Sequence, residues 1–97
     1  MGASNMKSYF LEGILSYSRA QEALNRFIPG QADPWLLRDE SGDAIAYFYI
    51  AESSEPDLKQ LAITADISGR HFNSDRQVIS LLRLLQETVG GNITNDQ

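Results

Sequence analysis

Two capping-box patterns bracket this chain's extended segments, and that arrangement narrows the folds open to it. Ser18-Arg19-Ala20-Gln21 and Ser74-Asp75-Arg76-Gln77 each set a hydroxyl three residues before a Gln, so that the two side chains satisfy orphan amides of a first helical turn. Behind the first, Ala20, Ala23, Leu24 and Phe27 recur at helical spacing until Pro29-Gly30 stops the run, which predicts a helix over 18–28. Behind the second, Val78, Leu81, Leu82, Leu85 and Val89 form an apolar stripe, and Gly90-Gly91 ends it.

Three runs of strand character lie between the boxes. Residues 35–39 and 44–51 flank a Glu40-Ser41-Gly42-Asp43 turn, which reads as a β-hairpin. Along its second arm Ala44, Ala46, Phe48 and Ile50 share one face, and Ile45, Tyr47, Tyr49 and Ala51 share the other. In the third run Leu61, Ile63, Ala65 and Ile67 alternate with Ala62, Thr64, Asp66 and Ser68, the pattern of a half-buried strand. Short connections make these strands antiparallel neighbours. The expected fold is therefore α+β: a three-stranded antiparallel sheet with the N- and C-terminal helices packed on one face, in the order helix-strand-strand-strand-helix.

The ends are less decided. Tyr9, Phe10, Leu11, Ile14 and Leu15 could share a helical face, but Gly13 interrupts it, so residues 7–15 stay open between helix and strand. Residues 1–5 are expected to be an added or disordered lead before a start at Met6. Residues 6–91 are expected to form one domain, and the polar residues 92–97 a frayed tail.

Composition limits the chemistry. The chain has 97 residues and no cysteine, which removes disulfides, thiolate nucleophiles and Cys-based zinc sites, and favours a cytoplasmic setting. No segment approaches the ~20 apolar residues of a spanning helix, so no membrane role is expected. The net charge of −5 repels phosphate backbones, and nucleic acid is not an expected partner.

Two places remain as candidate sites. One is the connection into the last helix, where Arg70 and His71 are donors suited to an anion and Ser74 opens the helix N-terminus. It would serve a small-anion or small-molecule binder over residues 69–77. As the only histidine, His71 lacks the companions of a metal or triad site, so no catalytic residue, metal or cofactor is expected. The other is the sheet face bearing Ile45, Tyr47 and Tyr49. If Phe48 and Ile50 face the helices, these residues emerge on the uncovered side, where aromatic rings mark partner surfaces.

The stretch Pro34-Trp35 to Tyr49, with its Asp39-Glu40-Ser41-Gly42 turn and Ala44-Ile45-Ala46-Tyr47-Phe48-Tyr49 strand, resembles a hairpin of small bacterial proteins that have no known activity. The resemblance implies a bacterial source. The leading expectation is a non-enzymatic interaction module, either a homodimer in which the sheet-face patch meets itself or a module docking a protein partner.

Overall fold

A computed structural model describes residues 7–29, 34–52, 60–68 and 75–95. Its elements run β1 (Lys7–Ile14), α1 (Tyr17–Phe27), β2 (Trp35–Arg38), β3 (Ala44–Glu52), β4 (Leu61–Ile67), α2 (Asp75–Val89) and β5 (Asn92–Asn95). The strands form a five-stranded sheet in the order β2-β3-β4-β1-β5, and every neighbouring pair is antiparallel.

The expected three-stranded sheet is thus wrong by two strands. The chain is α+β, but residues 7–14 are a strand paired along β4, and 92–95 add a fifth strand on the far side of it. The first error has a local cause. The β1–β4 register slips between Glu12 and Ile14, and Gly13 in the bulge adopts φ 84°. The extra residue places Leu11 and Ile14, three apart, both in the core, at 0% and 1% exposure. A bulged strand therefore imitates helical spacing. The second error comes from composition, since Asn92, Thr94 and Asn95 are polar and only Ile93 packs against the core.

The helices form over the stretches that periodicity places; the first capping residue shifts, and Ser74 of the second box lies outside the described residues. Ser16 rather than Ser18 caps α1, its hydroxyl accepting from the Arg19 amide at 3.3 Å. Ala20, Ala23 and Leu24 of α1 and Val78, Leu81, Leu82 and Leu85 of α2 join one buried cluster with Trp35, Phe48, Ile63, Ala65 and Ile67. The two helices also pack on each other. They cover the sheet face formed by Trp35, Ala46, Phe48, Ile63, Ala65 and Leu11, which the register places side by side. Trp35 anchors this layer: its ring is fully buried, and its Nε1 donates to Asn25 Oδ1 of α1 at 2.8 Å. No described helix is long and apolar enough to cross a membrane.

At the hairpin tip, Asp39 holds the turn. Its Oδ1 accepts from the Ser41 amide at 2.9 Å and the Asp43 amide at 3.0 Å, and the backbone of Asp39 bonds Asp43 at 2.9 Å. That fixes where β3 begins, and hence which of its residues face the helices.

Candidate interaction face

With both helices on one side, strand alternation sends the other residues of each strand to the opposite face. The register arranges them in rows across the sheet. Leu36, Tyr47, Asp66 and Ser8 make one row; Tyr49, Thr64, Phe10 and Thr94 make the next; Ala51, Ala62, Glu12 and Asn92 make the third. No described element packs over them. The middle of the face is a frame of three aromatic rings, from Phe10, Tyr47 and Tyr49, around the side chains of Thr64 and Asp66.

The polar atoms inside this frame are tied together. Ser8 Oγ donates to Asp66 Oδ1 at 2.6 Å, a short hydrogen bond across the β1–β4 ladder. The Tyr49 hydroxyl lies beside Asp66 and Thr64. Burial first, and then the negative charge and acceptor oxygen of Asp66, push its pKa above the ordinary tyrosine value. Thr64, on the side away from the helices with Tyr49 and Phe10 as its ladder neighbours, is only 4% exposed. Tyr47 is the most open ring of the frame at 39% exposure, and Phe10 and Tyr49 are half-buried.

The residues singled out from sequence fare differently. Tyr47 and Tyr49 stand two apart on β3 and share this face. Ile45 does not join them as surface: it sits where the β2–β3 register slips and is 3% exposed, within the buried cluster. Its carbonyl accepts from the Ser68 amide at 2.9 Å. Arg70, His71 and Ser74 lie outside the described residues. Next to them, Asp75 opens α2 and is held by the β1 side chains, Lys7 Nζ at 3.4 Å and Tyr9 Oη at 3.2 Å. Desolvation works against its ionisation, but the hydrogen bonds from Lys7 and Tyr9 and the lysine charge outweigh it, so its carboxyl titrates below the ordinary range.

Sequence reasoning missed Ser8, Phe10 and Asp66 as members of the face. Asp66 was legible as a polar outward residue of a strand. Its position opposite Tyr47 on one side and Ser8 on the other depends on the register, which one sequence does not reveal.

On the helix side, an open groove of about 820 Å³ runs between Phe27, Leu37, Leu81 and Leu84. Among the described residues no group of three or more His, Cys, Asp or Glu side chains could hold a metal ion. Comparison with protein-family models, with curated proteins and with solved structures gives no match to this chain.

Proposed function

We propose that the chain is a non-enzymatic interaction module that docks a protein through the open face of its sheet. The observation that carries this reading is the frame of Phe10, Tyr47 and Tyr49 on a face over which no described element packs. Aromatic rings anchored in a sheet give a partner large contact area, and they lose few rotamers on binding. The scaffold supports the role because the rings are held by a five-stranded ladder with its core on the reverse side. A partner therefore meets a preorganised surface and bears little ordering cost on this side.

In-cell photo-cross-linking tests it. A benzophenone amino acid at position 47 should give discrete adducts, whereas the same group at position 17, an exposed tyrosine of α1 at 48% exposure, should give none of them. Adducts at both positions alike, or at neither, contradict docking through this face. The mass of the adduct also reports whether the captured molecule is a second copy of the 10.8 kDa chain.

A further inference from the structure

Resting on the interaction reading above, the charge pattern of the open face points to its occupant. We infer that the face receives an arginine side chain of a different protein, its guanidinium paired with Asp66 and stacked on Tyr47.

The charges on the inner strands of the described face have one sign. Asp66 and Glu12 lie on it, and of the described cations only Arg38, two residues after Leu36 on the edge strand β2, shares its side of the ladder. Lys7 is turned to the helix side, where it pairs with Asp75. The Arg38 guanidinium donates to the Gly42 carbonyl at the hairpin tip at 2.9 Å, and Arg19, Arg26, Arg76 and Arg83 are on the helices. Asp66 sits in the central part of the face, in β4, with strands on both sides.

That position argues against a second copy. A two-fold stacking of this face on itself would seal two Asp66 carboxylates into one dry interface. Each buried ion costs several kcal/mol unless it is paired, and on the inner strands of the described face the two copies would offer each other only like charge. A partner that brings a cation removes the cost at its source.

The geometry favours arginine over lysine. An ionised carboxylate offers about four lone-pair sites. Ser8 occupies one of them and Tyr49 lies beside the carboxylate, so acceptor capacity remains for a further donor. Tyr47 is the direct ladder neighbour of Asp66, which sets the two Cβ atoms roughly 4.5–5.5 Å apart. A planar guanidinium can lie on the tyrosine ring and still present parallel N–H groups to the carboxylate. A lysine ammonium is compact and strongly hydrated, and it satisfies one of these demands at a time.

Titration of the isotope-labelled chain with N-acetyl-arginine methylamide, followed by amide NMR, tests this. Its neutral isostere, the citrulline methylamide, is the control. The arginine probe should move the resonances of Ser8, Phe10, Tyr47, Tyr49, Thr64 and Asp66 selectively, and the citrulline probe should leave them in place. Asp66→Asn should weaken the arginine response about fivefold, as expected for a solvent-accessible ion pair. Tyr47→Ala, which leaves the carboxylate and its hydrogen bond untouched, should weaken it as well. Shifts centred on the acidic hairpin tip at Asp39–Asp43, equal responses to both probes, or an Asp66→Asn response equal to wild type would overturn the proposal. A position-47 adduct of twice the chain's own mass would also overturn it, while leaving the docking face itself in place.

Discussion

Ser8 Oγ donates to Asp66 Oδ1 at 2.6 Å, joining β1 to β4 on the side of the sheet away from the helices. The pair is part-buried, and its acceptor is a carboxylate in the middle of the aromatic frame. Ser8→Ala should lower stability by about 1 kcal/mol, the ordinary net value of one hydrogen bond. Urea unfolding monitors this; a loss above about 3 kcal/mol would mean that the pair carries the β1–β4 register, which the buried ladder of Leu11 and Ile63 is expected to do.

Trp35 and Asn25 should be strongly coupled. Replacing Asn25 by Ala strands the indole N–H of a ring with 0% exposure, at a cost of about 1–3 kcal/mol. On a Trp35→Phe background the same substitution should cost much less, because no buried donor is left unpaired. A double-mutant cycle from thermal melts reads the coupling, and additive losses would contradict the bond's importance.

Gly91 lets β5 close on β1. Its φ is 96°, and a Cβ there would run into the Glu12 carbonyl oxygen. Gly91→Ala should therefore cost more than about 1 kcal/mol and release the β5 amides first. Hydrogen exchange would find Ile93 and Thr94 deprotected while the β3–β4 amides keep their protection. Uniform loss of protection would show β5 to be integral to global unfolding instead.

The two strands that sequence reading did not place both rest on such backbone particulars. Apolar alternation runs unbroken from Ala46 to Ile50 in β3 and from Leu61 to Ile67 in β4, so Phe48, Ile63 and Ala65 announced themselves as core residues, and Tyr47 and Tyr49 as residues of the opposite face. In β1 the bulge at Gly13 breaks the period, and Tyr9, Leu11 and Ile14 then fit neither template cleanly. In β5 the stabilising element is backbone pairing, supplemented by Gln86 Nε2 donating to the Gly91 carbonyl at 2.9 Å, and neither leaves an apolar pattern. The same limit hid half of the candidate face. Without β1 beside β4, Phe10 and Ser8 had no reason to be grouped with Tyr49 and Asp66. The burial of Ile45 was illegible for a related reason: a slip in the β2–β3 register decides it, not its place in the alternation.

Acid should weaken the contact between β1 and α2. The Asp75 carboxyl titrates below its ordinary value of 3.8 when folded, so its ionised form is favoured by folding. That contribution is complete above the ordinary value and disappears as the pH falls through the lowered one. Wild type should lose stability more steeply below pH 3.8 than Asp75→Asn, which has no charge to lose. Parallel acid limbs for the two proteins would contradict the pairing with Lys7 and Tyr9.

Hydroxyl-radical footprinting of the two exposed tyrosines, in purified protein and in intact cells, tests the docking face most directly because it changes no residue. Tyr47 on the open face and Tyr17 on α1 are 39% and 48% exposed, so both should be oxidised readily in the isolated chain. In cells Tyr47 should become protected while Tyr17 stays reactive. Equal oxidation of Tyr47 in the two settings, judged against Tyr17, would contradict the claim that this face exists to be covered by a partner.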